Sequence, residues 1–110
     1  MNTKEETIER VMDIVLEHCT YSFKHVTKED VIRKHGDITI QMTRCVFVSM
    51  LMFLDYSKPV IAAYLHRSIQ AINDILYAAH SFRTVRKDWT YLVSEADCIK
   101  LCAEFKDVNR

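Results

Sequence analysis

The sequence predicts an all-α fold: a bundle of five to six helices around a central apolar helix at about residues 39–54. Three observations carry this expectation. Gly and Pro occur once each in 110 residues, so the turn residues on which strands and hairpins depend are nearly missing. Apolar residues recur at helical rather than alternating spacing along most of the chain. Hydrophobic residues make up 49% and charged residues 27%, the balance of a globular chain rather than a disordered one. At this length residues 1–110 read as one helical domain.

The first helix is expected at about residues 4–19. Thr3-Lys4-Glu5-Glu6 matches a capping box, and Ile8, Val11, Met12, Val15, Leu16 and Cys19 then form one apolar stripe. Tyr21, Phe23 and Val26 sit in the connection that follows, as candidate anchors to the core. Thr27 caps a second helix at about 28–35, with Glu29 and Asp30 in its first turn, where the helix dipole favours acids. It ends on Arg33-Lys34-His35, with Gly36 as C-terminal cap or turn. The third helix, about 39–54, carries Ile40, Val46, Phe47, Met50, Leu51, Phe53 and Leu54, leaving little polar face beyond Gln41, Thr43, Arg44 and Ser49. A helix apolar almost all round is the one the others wrap. Met42, Met50 and Met52 read as gap-fillers within it.

Ser57 to His80 is the most informative stretch. It reads as two helices, about 58–65 and 68–82, joined by a tight turn at Leu65-His66-Arg67. The first presents Val60, Ile61 and Tyr64; the second presents Ile69, Ile72, Ile75 and Leu76, with Ser68 as its cap. That is the layout of a helix-turn-helix, whose second helix can enter a DNA major groove. Beyond it, Asp88 is expected to cap a short turn carrying Trp89, Tyr91 and Leu92. Ser94-Glu95-Ala96-Asp97 looks like a further cap, opening a last helix with Cys98, Ile99, Leu101, Cys102 and Phe105.

Net charge is zero, but its distribution is uneven. Residues 1–23 sum to −3 and residues 88–110 to −2, whereas residues 24–87 sum to +5. A basic middle that contains the two-helix segment suits a phosphate-binding face. A solvated surface with chance asymmetry is the alternative.

With its helices in this order, the chain resembles the C-terminal DNA-binding domain of the bacterial replication initiator DnaA, over about Ile8 to His80. Arg33-Lys34-His35 falls where that family has a basic loop. Thr43-Arg44 opens the apolar run as the family's Ala-Arg or Pro-Arg does. Val60-Ile61-Ala62-Ala63-Tyr64-Leu65 looks like the helix before the turn, and His66 to Ile72 lies over the recognition motif. The resemblance implies a Trp-repressor-like helical fold and a stand-alone relative without the ATPase domain. Arg67 and Ile72 match the motif, but Ser68, Ile69, Gln70 and Ala71 replace its Asp-His-Thr-Thr block. The chain is therefore not expected to read the initiator's own binding box.

The reading this supports is a sequence-specific double-stranded DNA-binding protein, a small bacterial, phage or mobile-element regulator of transcription or replication. Gln70 is the candidate base reader, since its amide can pair with adenine. Ser68 and Asn73 are candidates for phosphate or base contact, Arg67 for a phosphate contact at the turn. Lys58, Arg44, Arg33 and Lys34 are candidates to hold the backbone on either side. Each has a plainer alternative: Gln70 as a solvated helix residue, Arg44 as a rim charge over the core, the basic end of the second helix as a dipole partner. Ile69 is expected to pack inward or against a thymine methyl. A homodimer through the terminal helices is possible.

The competing reading is a helical protein-interaction module that kept the fold and lost DNA binding, with Trp89, Tyr91 and Phe105 either its docking surface or a lid on the core. An enzyme is not expected, because no HExxH, GxSxG, phosphate-loop or dinucleotide fingerprint occurs. Nor is a cofactor, metal or small-molecule substrate expected. His18-Cys19 near His25 reads as a chance pair. Cys98 and Cys102 lack CxxC spacing; all four cysteines read as reduced, mostly buried thiols of a cytoplasmic protein. No apolar run reaches the roughly 18 residues of a membrane span, and the acidic N-terminus is not a secretory signal.

Overall fold

A computed structural model describes residues 3–19 and 25–106. Among them the chain forms α1 (Lys4–His18), α2 (Lys28–Ile32), α3 (Ile38–Phe53), α4 (Lys58–Tyr64), α5 (Ile69–His80) and α6 (Trp89–Cys102), with no strand. A π-helical turn (Ser81–Val85) extends α5 and a 3-10 turn (Ala103–Phe105) extends α6. The all-α bundle is as the composition predicts. The Cα radius of gyration is 12.9 Å, close to the ~13 Å of a compact chain of this length.

Each helix starts where a side-chain acceptor can satisfy an orphan N–H. Thr3, Thr27, Asp37, Ser57, Ser68 and Asp88 all accept from the backbone three residues on. The reciprocal capping box forms at Thr27 and Asp30. Helices α3 and α4 end in the same way. At Asp55 (φ 67°) and His66 (φ 54°) the backbone turns left-handed. The next N–H in each case, of Tyr56 or Arg67, reaches back to Leu51 or Ala62 O. These are Schellman ends built without glycine.

Helix α3 packs against α1, α2, α4, α5 and α6. It is more deeply enclosed than its sequence suggests: Thr43, Arg44 and Ser49, expected on a polar face, are buried with Val46, Phe47, Met50 and Leu51, and Gln41 stays exposed. The Thr43 hydroxyl is satisfied by Thr39 O at 2.8 Å. Around α3 the core continues through Val11, Met12 and Val15 of α1, Ile61 of α4, Ile72 of α5 and Tyr91 of α6. Val26 is buried as an anchor of its segment; Tyr21 and Phe23 lie outside the described residues.

Four expectations need correction. Helix α2 stops at Ile32 rather than near residue 35, because Arg33 turns extended (φ −54°, ψ 145°). Gly36 does not adopt a left-handed conformation. It is needed for close approach, since a Cβ there would lie 2.6 Å from Ile40 Cγ2. No second cap opens at Ser94, which is buried mid-helix in an uninterrupted α6. Tyr91, Ser94, Cys98 and Cys102 recur on one buried face, so packing carries the helix through a residue that would cap it if exposed. Finally, the aromatic tail divides: Tyr91 and Phe105 enter the core, while Trp89 is 75% exposed.

All four cysteines are free and buried. Burial pushes the Cys45 and Cys102 thiols up to about 12, so neither is a thiolate at neutral pH. Cys19 and Cys98 face each other with Sγ atoms 3.9 Å apart. No helix among the described residues is long and apolar enough to cross a membrane.

Candidate nucleic-acid interface

The site is built on the end of α2. A helix leaves its last four carbonyls without intrahelical partners, and here two arginines take them. Arg44, from α3, donates Nε to Val31 O (2.8 Å) and Nη2 to Asp30 O (3.2 Å) and Arg33 O (2.6 Å). Arg67, from the turn between α4 and α5, donates Nη2 to Ile32 O (3.2 Å) and to Arg33 O. Carbonyls 30 to 33 are thus all occupied. The cationic heads sit at the negative end of α2, where the dipole favours them.

This changes the reading of both residues. Arg44 is 5% exposed; it is neither a rim charge nor a group that reaches a backbone phosphate. It fastens the segment 33–35. Arg67 is half-buried and its Nε is enclosed without a partner, so one face of its guanidinium is committed to α2. Neither arginine pairs with a carboxylate among the described residues. Burial, then the charge of neighbouring Arg67, pulls Arg44 below the ordinary arginine range, and burial does the same to Arg67. Both stay cationic, so the clasp itself carries positive charge that no direct ion pair neutralises among the described residues.

Beside it lies a cleft of about 900 Å³ between the 34–36 segment, the turn and α5. Lys34, His35 and His66 stand with the two arginines along it, Asp74 is its one acidic residue, and its floor is small and apolar, with Ala62, Ala71 and Ala78. On the other side of α4 the charge reverses. There a groove is lined by Glu5, Glu6 and Glu9 against Arg10 and Lys28, a small net negative charge, with Glu9 gripping Lys28 Nζ at 2.7 Å and accepting from Tyr64 OH at 2.6 Å. Those two bonds hold the Glu9 carboxyl below its usual range. The α4 turn therefore divides a cationic cleft from an acidic groove.

Of the other expected site residues, Arg33 and Lys34 are exposed beside the cleft, Arg33 sharing a 3.3 Å ion pair with Asp30. Ser68 spends its hydroxyl on capping, accepting from Ala71 N at 3.1 Å. Gln70 is exposed, but its Nε2 donates to Asp74 Oδ1 at 3.0 Å. Asn73 is half-buried one turn further on. Lys58, half-buried, sits at the far end of α4, roughly 10 Å of helix from the turn, and does not line the cleft.

Two residues were missed or misplaced by sequence reasoning. Ile69, expected to pack inward or against a thymine methyl, is 48% exposed, which removes the inward alternative, and Tyr77 is 77% exposed. Tyr77 shares the outward face of α5 with Gln70 and Asn73, at spacings of seven and four. That spacing was legible; what hid Tyr77 was its apolar ring, which reads as core until burial is known. Among the described residues no three His, Cys, Asp or Glu side chains come together as metal ligands. Comparisons with protein-family models, curated proteins and solved structures give no match to this chain.

Proposed function

We propose that the chain binds double-stranded DNA through a helix-turn-helix formed by α4 and α5, and serves as a small regulator of transcription or replication. The observation that carries this reading is the double arginine clasp on α2. It fixes the basic segment 33–35 beside the α4–α5 turn, and among the described residues no carboxylate pairs with either clasp arginine. A basic strap and a helix N-terminus on one side of a cleft form the arrangement that phosphate contacts and groove insertion require. The resemblance to the DnaA C-terminal domain points the same way.

In this reading α5 enters the major groove with Ile69, Gln70, Asn73 and Tyr77 outward. Lys34 and Arg33 hold backbone phosphate, and Arg44 and Arg67 act mainly as positioning groups. Gln70 must exchange its bond to Asp74 for a base edge, and Ile69 and Tyr77 supply apolar contacts of the kind a thymine methyl accepts. The acidic groove behind α4 repels the duplex and so sets its side of approach.

A second reading has its own support. Ile69, Tyr77 and Asp74 on the outward face of α5 are also what a protein-docking helix presents. Fluorescence anisotropy with random-sequence duplex at two salt concentrations separates the two. Affinity that falls steeply with salt reports displaced counterions; absence of binding at low salt removes the DNA reading. Lys34→Ala is expected to weaken all sequences and flatten the salt slope, whereas Gln70→Ala alters base preference by about 1–3 kcal/mol at one position.

A further inference from the structure

The cleft beside the clasp holds charge that a duplex backbone does not reach. Its most buried cation is Arg44, 5% exposed. Each guanidinium spends only part of its donor set on the carbonyls of α2: Nε and Nη2 of Arg44, and Nη2 of Arg67. Among the described residues neither Nη1 donates to any acceptor. Nor is either Nη1 enclosed, since Arg67 Nε is the one enclosed side-chain donor without a partner there. Both arginines line the cleft. With so little of Arg44 exposed, its accessible remnant is the edge turned to that space. An unpaired guanidinium edge held away from bulk water favours an anionic acceptor, and its planar fork matches a phosphate.

The rest of the cleft has a different character. Lys34, His35 and His66 add donors near the turn, where Ser68 marks the N-terminus of α5. Along α5 the lining then becomes Ala71, Asp74, Ile75 and Ala78, the last roughly 15 Å of helix from Ser68. A cationic end and a small-residue, largely apolar end thus share one cleft. Its volume of about 900 Å³ lies within the roughly 300–1,000 Å³ of small-ligand sites.

We infer that this cleft binds a small phosphomonoester. The dianionic head sits on the uncommitted edges of Arg44 and Arg67, with Lys34 beside it. The body, flat and mostly apolar, lies along Ala71, Ile75 and Ala78, where only small side chains leave room for it. Asp74 favours a body that carries a hydrogen-bond donor. A dianion fits better than a monoanion, because three permanent cations line the cleft against one acid. This goes beyond the DNA reading and does not rest on it. There the face of α5 with Gln70, Asn73 and Tyr77 is used; here it is the adjacent face that looks into the cleft, and Lys34 is common to both.

Isothermal titration calorimetry on the full chain, without DNA, tests the site with three probes: phenyl phosphate, inorganic phosphate and dimethyl phosphate, a diester like the nucleic-acid backbone. An ionic strength of about 0.15 M screens diffuse surface attraction. Phenyl phosphate is expected to bind one to one with a micromolar Kd, about tenfold tighter than inorganic phosphate. Dimethyl phosphate is expected not to bind. Lys34→Ala, at an exposed position that does not put the fold at risk, is expected to weaken both dianions about tenfold. Ala78→Met keeps a good helix former at a half-buried position and fills the apolar end. It is expected to remove the advantage of phenyl phosphate while inorganic phosphate binds as before. No binding of phenyl phosphate, an affinity indifferent to both substitutions, or dimethyl phosphate bound as tightly as phenyl phosphate each overturns the proposal. Because no DNA is present, failure here leaves the DNA reading standing, and failure of duplex binding leaves this site standing.

Discussion

Helix α5 is bracketed by two turns of similar build and opposite consequence. The turn before it passes through His66 at φ 54°, then Ser68 caps α5. The turn after its π-helical extension passes through Lys87 at φ 49°, then Asp88 caps α6. Each is accompanied by a buried or half-buried arginine. Arg67 lands on carbonyls, beside Arg44, and finds no counter-ion among the described residues. Arg83 lands on a carboxylate: Nε and Nη2 grip Glu95 at 2.7 and 2.9 Å, and Nη2 also reaches Ser49 Oγ at 2.8 Å. Tyr91 OH completes that network on Glu95 at 3.1 Å. The hydrogen bonds to Glu95 hold Arg83 above the ordinary arginine range, whereas burial pulls Arg67 below it. One turn therefore closes a neutral structural clasp. The other keeps its positive charge, and the proposed DNA contact rests on that difference.

Removing the clasps tests this difference. Arg44→Met is expected to cost most, about 2–4 kcal/mol by urea unfolding, because buried carbonyls of α2 lose charge-assisted donors. It is expected to abolish DNA binding even where the protein is folded, since the 33–35 segment is released. Glu95 is 12% exposed beside Arg83, and Arg83→Met leaves it Tyr91 OH as its one remaining donor. Arg83 is itself one third exposed, so the expected loss is about 1–3 kcal/mol, with DNA affinity unchanged in the folded protein. Equal losses of DNA binding in both variants would erase the distinction between the turns.

The caps give a smaller and pH-dependent contrast. Ser68→Ala and Asp88→Ala each forfeit an N-cap, about 1 kcal/mol. Only the second carries a titration. The Thr90 hydroxyl and the backbone N–H of Tyr91 hold the Asp88 carboxyl below its ordinary 3.8. Its contribution is therefore complete above about pH 4 and is lost as pH falls through the lower folded value. Unfolding curves between pH 2 and 6 should show Asp88→Asn flattening the acid limb while Ser68→Ala leaves its slope unchanged. The smallest effect comes from the turn residues. His66→Gly and Lys87→Gly relieve a left-handed backbone but add unfolded-state freedom, a net stabilisation of about 0.5 kcal/mol each. A destabilisation would mean that the imidazole or ammonium contributes contacts of its own.

Helix existence was legible throughout because periodicity and caps act locally. Thr3, Thr27 and Ser68 announce their helices without reference to any distant residue, and Asp88 announced a cap but only for a short turn. Where the reading failed, distant packing decided. Ser94 carries a cap-forming side chain, yet sits mid-helix because Tyr91, Cys98 and Cys102 continue the same buried face. Gly36 suggested a turn, but it is there because Ile40 crowds the backbone. Arg33-Lys34-His35 suggested a helical end; instead α2 stops early, at the carbonyls that Arg44 and Arg67 collect.

The amino-acid sequence by itself determined an all-α chain, a central apolar helix, and a basic segment and two-helix unit within a cationic middle. These follow from composition, period and capping, which depend on residues a few positions apart. Only the tertiary structure decided that Arg44, eleven residues from Arg33, and Arg67, thirty-four from it, share its carbonyl. It also decided that Tyr77 and Trp89 face solvent while Tyr91 is core. An arginine or an aromatic ring serves equally well at a surface or inside, and the choice depends on neighbours that folding brings from elsewhere in the chain.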